Sequence, residues 1–140
     1  MIETYVLLGT LGVHSIEDVK SRKITVQVTL FSAILGIVFH LFYQDESIYS
    51  MLAGMLSGSL IVFLSIASKG KIGIGDGVVF MLTGLYLGVW KNFLLMFLSF
   101  TFAAVWVLCR ILYRPKRLQE RIPFMPFLFM GCLVLFFMGV

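Results

Sequence analysis

Charged residues in this sequence fall in a few short clusters, and the stretches between them are almost wholly apolar. Counting between charges gives six such stretches: 5–19, 26–43, 48–67, 72–90, 92–112 and 123–140. A helix needs roughly 20 apolar residues to span the hydrocarbon of a bilayer. Stretches two, three, five and six are clean, whereas the first and fourth are short unless they take in Asp18 and Asp76. Only 13% of the 140 residues are charged and 60% are hydrophobic, against roughly 25% charged in an ordinary soluble domain. The expectation is an all-α integral membrane protein, a single transmembrane domain over 1–140 built as a bundle of six transmembrane helices.

The basic residues set an orientation. Lys20, Arg22 and Lys23 follow the first stretch, Lys69 and Lys71 the third, and Arg110, Arg114, Lys116, Arg117 and Arg121 the fifth. The other side carries Glu3, Asp45, Glu46 and Lys91. Cytoplasmic loops are enriched in Lys and Arg, so both termini are expected to be extracytoplasmic, with Asp18 and Asp76 at the cytoplasmic ends of their helices. Topology alone accounts for the net charge of +4, and no nucleic-acid partner is called for. Glu3 stands where a cleavable signal would have a basic residue, so the first stretch reads as a helix of the bundle. Cys109 and Cys132 have no CxxC spacing, which supports neither a disulfide framework nor a zinc site.

Asp76 lies in Gly73-Ile74-Gly75-Asp76-Gly77. A charge at membrane depth costs at least about 2.5–3.5 kcal/mol and is expected to face a cavity and to have a job. One reading makes it a helix cap, favoured by the exposed amides and the helix dipole. The alternating Gly73, Gly75 and Gly77 favour another: a turn with unusual dihedrals and close backbone approach, against which an extended substrate strand could lie. Asp18 opens "DVKSRKIT" on the same face of the membrane. Two carboxylates at one level, without a convincing metal or nucleophile set, suggest aspartic protease chemistry, in which one acid stays protonated while the other draws a proton from the attacking water. Glu17 projects about 100° from Asp18 on a helix and reads as an interfacial charge. His14, one turn above Asp18, reads as a packed histidine ahead of a partner for the pair. Gly54/Gly58 and Gly84/Gly88 form GxxxG motifs suited to close helix packing, and Pro123 and Pro126 to fixing a helix entry.

In "DVKSRKI", "GIGDG", "GLYLG" and "RIPFMPFLFMG" the sequence resembles the type IV prepilin peptidases, membrane-embedded GxGD aspartic proteases, over nearly its whole length. The resemblance implies that Asp18 and Asp76 are the catalytic pair and that Gly73, Gly75 and Gly77 form the active-site turn. It further implies an endopeptidase of the prokaryotic cytoplasmic membrane that needs no metal or organic cofactor. Its partners would be the lipid bilayer and prepilins or pilin-like proteins, whose basic leader it removes on the cytoplasmic side by cutting after a glycine. The chain departs from the family pattern in reading Ile24-Thr25-Val26 where many members have Ile-Pro-Asn, and Val78 where many have lysine. It also has no insert with paired CxxC motifs, the part linked to N-methylation of the processed pilin, and so looks like a short, peptidase-only form. The alternative is a non-enzymatic transporter or ion-conducting subunit using a buried Asp76. Against it, the two carboxylates lie together at one face and nothing acidic lies at mid-bilayer in the other helices. The sequence names neither substrate-binding residues nor an oligomeric state.

Overall fold

The computed structural model describes residues 2–43, 47–69, 73–113 and 122–139. Among them every regular element is helical: α1 (Ile2–Ser21), α2 (Val26–Tyr43), α3 (Ile48–Ala67), α4 (Ile74–Tyr113) and α5 (Met125–Met138). Asp45, Glu46, Lys71, Arg114, Lys116, Arg117 and Arg121, on which part of the charge pattern rests, lie outside the described residues.

α4 is not one straight rod. At about 1.5 Å per residue, Phe80 and Phe100 on a continuous helix would stand roughly 30 Å apart, yet their ring centroids are 5.8 Å apart. The chain reverses at Gly88, whose φ of 69° and ψ of −173° belong to a region that is essentially glycine's alone. Residues 74–87 and 89–113 are therefore two antiparallel arms. The charge pattern predicts the break at Lys91; the structure puts it three residues earlier, because a reversal needs a residue that tolerates this dihedral pair and Gly88 supplies it.

Asn92, fully buried, staples the arms. It accepts from Thr83 Oγ1 at 2.7 Å and donates through Nδ2 to the Phe80 carbonyl at 3.3 Å. The same amide reaches α3, donating to Ser57 Oγ at 2.9 Å and to the Gly54 carbonyl at 3.2 Å. α3 packs into α4 along the two GxxxG motifs. A Cβ at Gly54 would stand 2.7 Å from the Gly84 carbonyl oxygen, and one at Gly58 would meet the backbone of Phe80 and Met81. Small residues let the two backbones touch, as helix association in membranes requires.

α1, α4 and α5 share the fully enclosed apolar core, with Leu7, Leu11, Val79, Phe80, Leu95, Met125 and Leu128 at its centre. α2 lies at the flank, its outward face carrying Leu30, Phe31, Ile34, Leu41 and Phe42. One polar bridge crosses the middle of the bundle: Thr10 Oγ1 donates to Ser32 Oγ at 3.0 Å, and Tyr86 OH donates to the Ser32 carbonyl at 2.6 Å. α3 and α4 are long and apolar enough to cross a membrane, and only 17% and 11% of their most apolar windows are buried inside the protein. Their apolar surface faces outward, unlike that of the core helix of a soluble domain.

Candidate active site

At one end of the bundle α1 finishes, α2 and α4 begin, and residues 122–124 lead into α5. These four pieces enclose a cavity of about 810 Å³ whose wall includes both Asp18 and Asp76. The two carboxylates predicted from sequence thus line one cavity. Asp18 sits in the last turn of α1, and its Oδ2 accepts the backbone N–H of Met125 at 3.0 Å. Met125 opens α5, so the carboxylate meets the partial positive charge of a helix N-terminus. Asp76 lies in the first turn of α4.

The glycines around Asp76 differ from the turn expected of them. Only Gly73 precedes the helix; Gly75 and Gly77 lie within α4, and none of the three has positive φ. Their small size answers to close approach. A Cβ at Gly73 would stand 2.8 Å from Asp76 Oδ2, one at Gly75 would stand 2.7 Å from Ile24 Cδ1, and one at Gly77 would stand 2.8 Å from the Val62 backbone nitrogen. Gly73 keeps the carboxylate uncovered, Gly75 receives the α1–α2 turn, and Gly77 lets α4 start flush against α3.

The α1–α2 turn supplies the facing wall. Arg22, held at φ 54° with its N–H on the Asp18 carbonyl at 3.0 Å, ends α1 in the left-handed conformation usual after a helix. Arg22, Lys23 and Ile24 line the cavity, as does Thr29 one turn into α2. On the entry side of α5, Phe124 belongs to both the cavity wall and a ring cluster with Phe80 and Phe100, at centroid distances of 5.8 and 5.3 Å. Pro126 occupies the first turn of α5, where its missing N–H costs nothing.

Glu17 and His14 have more specific surroundings than their spacing suggests. Glu17 Oε2 accepts the Thr25 N–H at 3.1 Å and Glu17 Oε1 accepts the Thr25 hydroxyl at 2.6 Å. His14, fully buried, places Nδ1 3.1 Å from Glu17 Oε2 and Nε2 3.0 Å from Thr29 Oγ1. It is a packed histidine bonded to Glu17 and Thr29. The sequence signal for this cluster is a pair of helical spacings, 14/17 on α1 and 25/29 at the start of α2, joined by a short turn. Cys132 is buried in the core, and Cys109 is exposed on the outer surface. Among the described residues no group of three or more His, Cys, Asp or Glu is gathered that could hold a metal ion.

An apolar helical bundle carrying two carboxylates in a cavity at one end is the class that this fold and site define. Within that class the chain belongs to the type IV leader peptidase family, whose pattern matches residues 5–108 and so takes in both Asp18 and Asp76. Membership brings a leader-peptidase-like function in general and a family of membrane proteins. Comparison with curated proteins and with solved structures finds no match.

Proposed function

We propose that this protein is an aspartic endopeptidase of a prokaryotic cytoplasmic membrane that removes the basic leader of prepilins or pilin-like proteins. Asp18 and Asp76 are its catalytic pair. The observation that carries this reading is the opening of both carboxylates into one cavity at the end of an apolar bundle. One, as carboxylate, takes a proton from water as that water attacks the peptide carbonyl, and the other, as acid, supplies the proton the carbonyl oxygen needs. The two arms of α4 count as separate spans, giving six, and the end that holds the cavity also holds Lys20, Arg22, Lys23 and Lys69. By the positive-inside rule that end is cytoplasmic. The substrate's apolar helix then lies in the bilayer with its leader at the level of the pair.

Cleavage of one prepilin by purified protein in detergent tests the reading. Asp18→Asn and Asp76→Asn should each abolish product formation while the folded protein still accumulates in the membrane. The double variant should be no worse than either single one, because residues that act as a unit are strongly non-additive. Robust turnover by either single variant ends the aspartic reading.

A further inference from the structure

The turn that faces Asp76 is fastened by one side chain. Glu17 reaches across the end of α1 and takes both donors of Thr25, the backbone N–H at 3.1 Å and the hydroxyl at 2.6 Å. Thr25 immediately precedes α2, and its carbonyl accepts the N–H of Val28 at 3.1 Å and of Thr29 at 3.3 Å, so fixing Thr25 fixes where α2 begins. His14 braces the arrangement from within, bridging Glu17 and Thr29 while fully enclosed. The neighbour of Thr25 in sequence is Ile24, whose Cδ1 occupies the notch that Gly75 leaves open, next to Asp76. The neighbour of Glu17 is Asp18. A line of contacts therefore runs from the helix that bears one carboxylate, through Glu17, Thr25 and Ile24, to the backbone that bears the other.

We infer that Glu17 is a positioning residue for the proposed dyad: it seats the α1–α2 turn, through Ile24, against Gly75 and so sets the distance between Asp18 and Asp76. The inference rests on the peptidase reading for its catalytic consequence but not for its geometry. The Glu17 side chain is 25% exposed, and its carboxylate is engaged by the Thr25 N–H, the Thr25 hydroxyl and His14 Nδ1, more partners than a solvated interfacial charge would hold. It touches no part of the cavity itself, so its removal acts on turnover by displacing the pair. The wall formed by Pro123 and Phe124 stays in place, while the wall formed by the turn shifts with it.

Two readouts test this. With prepilin as substrate, Glu17→Ala should lower kcat by about tenfold to a hundredfold, the loss expected when reacting groups shift by about 1 Å, with a smaller change in KM than in kcat. Glu17→Gln keeps one acceptor for Thr25 and should recover part of kcat. The second readout needs no substrate. In a background carrying Cys109→Ala and Cys132→Ala, the pair Ile24→Cys and Gly75→Cys brings two Cβ atoms to 3.9 Å, within the range of a disulfide, and removes the Cδ1 that a side chain at 75 would strike. This pair should cross-link readily under mild oxidation, and Glu17→Ala should slow the reaction about tenfold. If Glu17→Ala does not accumulate, Glu17→Gln carries both measurements. Cross-linking at the parent rate without the Glu17 carboxylate overturns the inference, and so does slowed cross-linking with kcat unchanged. A parent protein that cuts no prepilin overturns the peptidase reading instead, and the cross-linking rate still decides the geometry.

Discussion

Replacing Asn92 by leucine keeps the branching at Cγ and removes the amide that joins the arms of α4 to each other and to α3. Three contacts from Nδ2 and one to Oδ1 are lost, at 2.9, 3.2, 3.3 and 2.7 Å. Side-chain hydrogen bonds inside membrane bundles average about 0.6 kcal/mol and reach about 1.7 kcal/mol, so the loss comes to roughly 2 kcal/mol. No orphaned hydroxyl adds to it. Ser57 Oγ still donates to the Gly54 carbonyl at 2.6 Å and Thr83 Oγ1 to the Phe80 carbonyl at 3.1 Å, each within its own helix. Reversible unfolding in mixed detergent micelles, followed by tryptophan fluorescence and circular dichroism, measures the difference. A cycle with Thr83→Val isolates the shortest contact and should return a coupling of about 0.6–1.7 kcal/mol. Destabilisation by Asn92→Leu of less than about 0.5 kcal/mol, or additivity within about 0.3 kcal/mol, would refute the view that this amide holds the hairpin closed.

At the other contact between α3 and α4, Gly58→Val would drive a side chain into the Phe80 carbonyl carbon and the Met81 Cα, where an added Cβ would lie 2.6 and 2.7 Å away. Overpacking against backbone should cost about 1–3 kcal/mol or more in the same unfolding assay, and an unchanged midpoint would show that the helices can part there freely. For orientation, a cysteine at Ser47 in a background without Cys109 and Cys132 should react with an impermeant thiol reagent added outside intact cells, and one at Ser21 should not. The reverse labelling pattern would move the cavity to the opposite side of the membrane. Purified protein should cleave prepilin equally well with and without a strong chelator and should transfer no methyl group from S-adenosylmethionine; activity lost to the chelator and restored by a divalent ion would require a metal in the mechanism.

The hydrocarbon-length stretches between charges were enough to place the helices, because burial in lipid punishes a charge in mid-span far more than it punishes any local preference. The same logic misplaced one boundary. A charge marks where the chain nears the interface, but Lys91 has no means of reversing the backbone, and Gly88 does. The meeting of Asp18 with Asp76 was legible once both fell at ends on the same side. The bond between Glu17 and Thr25 was not, since it spans eight residues and depends on how tightly the turn between α1 and α2 closes. Nor was the contact of Asp18 with Met125. No period or motif links a helix end to an amide 107 residues away.

That last contact bears on how the protein comes into being. In synthesis α1 through α4 precede α5, so Asp18 and Asp76 are both present before it emerges. Until α5 arrives, Asp18 lacks the amide that receives its oxygen and the cavity lacks the wall formed by Pro123 and Phe124. Completion of the cavity is thereby postponed until α5 packs, so a polypeptide stalled on the ribosome short of that helix is a bundle in which Asp18 and Asp76 face a space with one wall missing.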